Sequence, residues 1–421
     1  MSSINIKFLI SGDRQKTEDN LENSRNEMKK NRLVAVLAGV AMFSLSACTP
    51  PMPPEVKAQL ADSMISCVAG TLRAASDADL AEVLDQWAAE YQDGCSGSTV
   101  EIVDDAATAE FYLGESSQVP PSCVVEAQVP ILWDGATIGI TSESIDALVL
   151  DTETLAKILT GQITNWNDPQ LVKLNPDVEF PDQEIIIANF ASDDNNTALV
   201  SWLGRVDPEN WPVNIQLPIA DGTSTIDTLA EDGTLAVVPL STSLSESLSQ
   251  VAIKLPGVTE VAQPDSLAVA SATTQLVSTV TSKKISVVLD PTIEPQALAG
   301  TDIAPVPWQA IVTKFATVCA GPNALEAQAL ARYSLRTDAQ GELDSLGFVS
   351  TPETLRMQAI DIISVGLPEP SLLPTAASTS DAIQTDEPMD MATDEPTDMA
   401  TDPDAELTDD AEVIPTDEPT P

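Results

Sequence analysis

The chain has 421 residues, 43% hydrophobic and 4% aromatic, enough for two domains or one two-lobed domain. Asp and Glu number 65 against 19 Lys and Arg, and the net charge of -46 repels nucleic acid, anionic membranes and free anions. Histidine is absent, which excludes Ser-His-Asp and Cys-His catalysis and every His-based metal site.

Near the N-terminus, Met28-Lys29-Lys30-Asn31-Arg32 is a basic n-region. Leu33–Leu45 is an apolar h-region too short to span a bilayer comfortably. Leu45-Ser46-Ala47-Cys48 then resembles a bacterial lipobox, which is cut before the cysteine that carries the lipid. The expectation is a start at Met28, with residues 1–27 an upstream mis-start, a signal peptide over 28–47 and lipidation at Cys48. The protein is then exported and lipid-anchored to the outer face of the cytoplasmic membrane, touching the membrane through that anchor alone. Residues 48–66, opening on the Pro-rich Thr49–Lys57, are expected to be a tether.

Four cysteines remain: Cys67, Cys95, Cys123 and Cys319. An even number in an exported chain points to two disulfides; three pairings are open, and the expected one is Cys67–Cys95 with Cys123–Cys319. Their long, irregular spacings disfavour zinc, and neither a metal nor a cofactor is expected.

Strand and helix patterns then alternate, the mark of an α/β fold. Leu72–Ala75 reads as a strand, and Leu80, Val83, Leu84, Trp87 and Tyr91 keep helical spacing. Thr99–Val103 and Val129–Trp133 read as strands, and Ala106–Ser116 as the next strand after the first of these. Asp151–Gly161 reads as a helix with Asp near its start and Gly at its end. The apolar run Ile185–Ala188 reads as a buried strand, followed by a polar Asp/Asn turn and then a helix opening at Thr197–Leu203. Leu235–Leu240, Ile285–Asp290 and Trp308–Val318 read as strands, and Asn323–Leu335 as a helix with Asn323 as its N-cap. From Ser371 the composition changes: TDEP recurs at Thr385, Thr393 and Thr416, and residues 371–421 are expected to be a disordered acidic tail.

The stretch Leu150–Ile185 resembles the PstS family, the phosphate-binding lipoproteins of bacterial ABC importers. The residues that carry the likeness are Trp166-Asn167-Asp168-Pro169, Leu174-Asn175-Pro176 and Pro181-Asp182. Cys67–Ser76, Trp87–Val100, Pro208-Glu209-Asn210-Trp211 and Ala339–Glu353 follow in family order. The resemblance implies a two-lobed periplasmic-binding-protein fold of type II over residues 67–370, each lobe a sheet flanked by helices. Lobe I would span 67–142 and 305–368, lobe II 147–300, with a two-crossing hinge and ligand at helix N-termini in the cleft.

The departures fall on the family's phosphate loops. Where the family has R-S-D-x-S-G-T-T, this chain has Asn189–Thr197; the arginine position falls at or beside Phe190, and no basic residue replaces it. Asp193 or Asp194 stands at a phosphate-binding serine, and Thr197 is retained. The first loop, G-S-S in the family, is Ser76-Asp77-Ala78, and the second is largely missing, with Asp104-Asp105 after its strand. The family's S-D after the following strand corresponds to Glu115. By family position the ligand-binding candidates are Ser76, Asp77, Asp193, Asp194 and Thr197. Asp77 and Asp193 or Asp194 precede helices and are expected to cap them, which puts a side-chain carboxylate in the anion position.

The resemblance implies a monomeric, non-enzymatic solute-binding lipoprotein of an ABC importer that takes a small molecule or ion and docks on a permease. The alternative is a diverged relative that no longer holds phosphate and binds a cation or amine, or serves as a surface interaction module.

Overall fold

The computed structural model describes residues 53–215, 217, 229–298 and 305–372. The expected leader with Cys48 and the tail beyond residue 372 lie outside the described residues. In chain order come α1 (Pro54–Ser63), β1 (Met64–Ile65), β2 (Gly70–Ser76), α2 (Ala81–Gly94), β3 (Ser98–Ile102), β4 (Phe111–Gly114), β5 (Val125–Thr141) and β6 (Leu148–Asp151). Next are α3 (Thr152–Leu159), α4 (Pro169–Leu174), β7 (Ile186–Asn189), α5 (Asp193–Val206), β8 (Thr234–Pro239), α6 (Leu240–Ser245), β9 (Ser249–Lys254) and α7 (Ser266–Thr273). The last are β10 (Leu276–Val280), β11 (Ile285–Leu289), β12 (Ile311–Cys319), α8 (Ala324–Ser334), α9 (Thr337–Gly341), β13 (Val349–Ser350), α10 (Glu353–Ile363) and β14 (Ser371–Leu372).

The fold is two-lobed α/β, and one strand runs through both lobes. In the first lobe β3, β2 and β4 are parallel, and antiparallel β12 and β5 extend the sheet. In the second, β5 pairs antiparallel with β8 and β9, β8 parallel with β7, and β9 parallel with β6. The change of partner is abrupt: Gly135 faces Ile311 on β12, and Ala136 faces Pro239 on β8. The VPILW strand is thus the first part of a 17-residue strand. From Val129 to Ile140 β5 is buried on both faces, which is why it reads as a continuous apolar run rather than an alternation. The return crossing leads into β12 past Trp308, whose indole N–H donates to the Ala136 carbonyl at 2.9 Å and whose ring meets Trp202 of α5 edge-on, centroids 4.6 Å apart.

Local chemistry explains the family-like motifs. Trp166 is fully buried and donates to the Gly233 carbonyl at 3.0 Å. Asp168 caps α4 by accepting from Gln170 N at 2.8 Å, with Pro169 at the first helical position. The Asn175 amide pairs with the backbone of Val149 in β6, accepting at 2.8 Å and donating at 2.9 Å. The stripe of α2 at Val83, Leu84, Trp87 and Tyr91 is buried, as its spacing requires.

Several details differ from the sequence expectations. Residues 54–65, assigned to the tether, form α1 and β1; β1 pairs with β14, so Ser371–Leu372 belong to a strand. Asp62 holds Arg356 at 2.7 Å, and an ion pair at a nearly buried guanidinium is not made by a free tether. Helix α5 begins at Asp193, not Thr197, because the polar stretch forms its first turn. Within Ala106–Ser116 only Phe111–Gly114 is extended, since Asp105 caps a short 3-10 turn over Ala106–Thr108. Asn323 stands at the N-cap of α8, yet its side chain makes no capping bond.

The disulfides are Cys67–Cys95 and Cys123–Cys319, as expected, with sequence separations of 28 and 196. Loop-closure entropy scales with the logarithm of that separation, giving upper limits of about 3.5 and about 5 kcal/mol. Replacing Cys123 and Cys319 by Ser should therefore lower the stability measured by urea unfolding more than replacing Cys67 and Cys95.

Candidate ligand cleft

Three loops and one strand interior meet between the lobes. The end of β2 delivers Ser76, Asp77 and, one turn on, Asp79; the end of β4 delivers Glu115; the start of α5 delivers Ser192, Asp194 and Asn195; β12 contributes Lys314. Lys314 is 2% exposed. Its ammonium lies 2.8 Å from Asp79, 3.1 Å from Glu115 and 3.5 Å from Asp77. Burial alone would lower the Lys314 pKa, but the charges of Asp79 and Glu115 outweigh it and hold the pKa above the ordinary lysine value. Burial pushes the Glu115 pKa up, against the pull of Lys314.

Asp77 is occupied as a structural acceptor. One oxygen takes the Glu115 backbone N–H at 2.8 Å and the other the Tyr112 hydroxyl. Burial, reinforced by Asp77, holds the Tyr112 pKa far above its usual value, so the phenol donates. Gly114 makes this approach possible: a Cβ there would lie 2.5 Å from the Asp77 carboxylate.

The lobes meet through side chains. Ser192 Oγ donates to Glu115 Oε1 at 2.7 Å, Asn195 Nδ2 approaches the same oxygen at 3.4 Å, and Ser117 Oγ donates to Asp194 at 2.9 Å. Ser192 also caps α5, accepting from Asn195 N at 3.1 Å. A carboxylate of the protein itself thus sits at the N-terminus of α5, where the unpaired N–H groups and the helix dipole favour an anion.

This revises the candidate list. The cleft gathers Asp77 and Asp194, with Ser76 ending the strand beside them. Asp193 and Thr197 point elsewhere and, with Arg205 and Trp211, line a separate cavity of about 800 Å³. Helix capping falls to Ser192 rather than to Asp193 or Asp194, and Asp77 makes no capping bond. Asp104 and Asp105 are exposed, and Asp105 is committed to its own turn. The ammonium that reaches Glu115 is that of Lys314, which arrives from β12, 124 positions after Phe190, and is paired with three carboxylates. Its sequence signal is a lone charged residue inside a strand of apolar and threonine side chains, and Asp79, Ser192 and Asn195 carried none.

Residues 125–300 match a family model described as a PBP superfamily domain. The PBP match begins at β5, the strand both lobes share, and runs through the second lobe. Phosphate-binding protein PstS 3 of Mycobacterium tuberculosis is 28% identical over 145 residues, 30% of this chain and 39% of that protein. Phosphate-binding protein PstS of Pasteurella multocida is 32% identical over 125 residues, 28% of this chain and 35% of that protein. The chain thus spans about two-fifths of the length of the first of these curated relatives. Phosphate binding protein of Stenotrophomonas maltophilia aligns with a TM-score of 0.45 at 13% identity, covering 70% of this chain and 94% of that one.

Beneath the cleft lies Asp134, fully buried two residues before the strand changes partner to β8. It accepts from Gly135 N at 2.6 Å and from the Ser241 hydroxyl at 2.6 Å, and burial raises its pKa from 3.8 to about 6. An acid with a raised folded-state pKa adds stability below its unfolded value and loses it as pH rises through about 6. The protein therefore carries a penalty of about 3 kcal/mol at neutral pH from this one group. Asp134→Asn, which can keep the Ser241 contact, should be more stable than the parent at pH 7.5 and lose that advantage near pH 4, by urea unfolding at both values. Lys314→Met removes the cation from among three carboxylates and should cost about 3–5 kcal/mol at neutral pH. Part of that loss should return in acid as the stranded carboxylates protonate, measured by the same unfolding series.

Proposed function

We propose that this protein is an exported solute-binding component of an ABC importer, held at the membrane through Cys48, whose PstS-like cleft has lost tight phosphate binding. It works as a monomer that presents a small molecule or ion to a permease and does no chemistry on it. The two-lobed fold, the PBP superfamily match and the likeness to phosphate-binding proteins support the importer role.

The observation that carries the loss of phosphate is Glu115. Its carboxylate accepts from Ser192 at the start of α5 and is paired with Lys314, so the natural anion place is already filled. A phosphate entering about 5 Å from one such carboxylate meets roughly 3 kcal/mol of repulsion at an effective dielectric near 20, over a hundredfold in affinity. Lys314 cannot offset this, because its charge is already shared among Asp77, Asp79 and Glu115.

Calorimetric titration of the purified protein with phosphate at neutral pH, after unfolding and refolding to strip bound solute, should show no binding tighter than the millimolar range. A micromolar dissociation constant would overturn the reading.

A further inference from the structure

The contacts at the buried end of the cleft leave two acceptors with nothing to accept. Glu115 and Asn195 are each 1% exposed. Every nearby donor converges on one oxygen: Glu115 Oε1 takes Ser192 Oγ at 2.7 Å, Lys314 Nζ at 3.1 Å and Asn195 Nδ2 at 3.4 Å. Glu115 Oε2 is buried and has no hydrogen-bond partner among the described residues. Asn195 Nδ2 is spent on Ser192 Oγ at 2.8 Å and on Glu115, and Asn195 Oδ1 is likewise buried without a partner among the described residues. Two adjacent side chains thus each present a bare acceptor oxygen, and buried acceptors are paired in nearly all folded proteins.

We propose that this end of the cleft holds a small ammonium-type cation, either ammonium or the head group of a primary amine, with Glu115 Oε2 and Asn195 Oδ1 among its acceptors. The proposal rests on the reading of the cleft as the solute site and names the class of solute. Charge favours it. Asp77, Asp79 and Glu115 surround one ammonium, that of Lys314, and Asp194 adds to the negative potential at Glu115. A second cation balances that excess, whereas an anion increases it. The acceptor set favours N–H donors over a bare metal ion. One carboxylate oxygen and one amide oxygen call for hydrogen bonds, and no group of three or more acidic or cysteine side chains among the described residues is arranged to hold a metal.

The test compares chloride salts of ammonium, methylammonium and tetramethylammonium at equal ionic strength, following thermal unfolding of the whole protein. Tetramethylammonium carries the same charge without an N–H. Ammonium or methylammonium should raise the midpoint in a saturable way, and tetramethylammonium should not. In Glu115→Gln the apparent affinity should fall about tenfold or more, the usual worth of a charged hydrogen bond. A second measurement needs no variant: 15N-labelled ammonium should give a bound signal in the parent protein, displaced by methylammonium. Equal shifts with all three salts, or no bound 15N signal at saturating ammonium, would overturn the proposal and leave ordered water as the donor to both oxygens. Tight phosphate binding in the separate titration would instead overturn the lost-phosphate reading, so the two failures are told apart.

Discussion

The structure depends on one buried ammonium. Lys314 sits in the middle of β12 as the strand's one charged side chain, and desolvating it would be prohibitive without the carboxylates of Asp77, Asp79 and Glu115 around it. Asp77 and Asp79 come from the stretch after β2, and Glu115 from the stretch after β4. Satisfying one charge therefore fixes the loops after β2 and β4 relative to the sheet. The same constraint reaches the second lobe, because the Glu115 oxygen that faces Lys314 also accepts from Ser192 at the head of α5.

The shared strand makes that contact a statement about the whole molecule. Where β5 passes from one sheet to the other, Asp134 holds Ser241 at the start of α6, and Trp308 on the return crossing holds the Ala136 carbonyl. The lobes are thus joined by a polar bridge at the buried Glu115 and by buried hydrogen bonds where β5 changes partner. Much of the closing interaction is supplied by the protein itself, and a solute has to fit what remains: bare acceptor oxygens in a negative potential. The net charge of -46 acts in the same direction at long range, keeping anions dilute near the surface and drawing cations in.

Buried acid is a recurring device here, with opposite consequences. At Asp77 the carboxylate is consumed by Tyr112 and the Glu115 backbone and serves as scaffold. At Asp134 burial outweighs the hydrogen bonds and raises the pKa to about 6. At Glu115 one oxygen is saturated and the other bare. The residue type is similar in all three; the supply of donors decides what each one does.

The sequence by itself determined the layers and their anchors. Alternating apolar runs and helical spacings are read from nearest neighbours along the chain, so β2, α2, β3, α3, β7, β8 and α8 were legible, whereas the four cysteines alone left three pairings open and the structure settled which one forms. The lack of a basic residue across Asn189–Thr197 was legible too, because residue type is read directly from the sequence. The tertiary structure alone decided where charge is balanced. Lys314 and Asp79 are 235 positions apart, and Ser192 and Glu115 are 77 apart, so no local pattern joins them. Nor could a local pattern show that β5 serves both sheets, since a run buried on both faces has the same apolar composition whether its partners change or not. Asp193 and Asp194 are neighbours in the sequence, yet a turn of helix rotates them about 100° apart, sending one to the cleft and the other to a different groove.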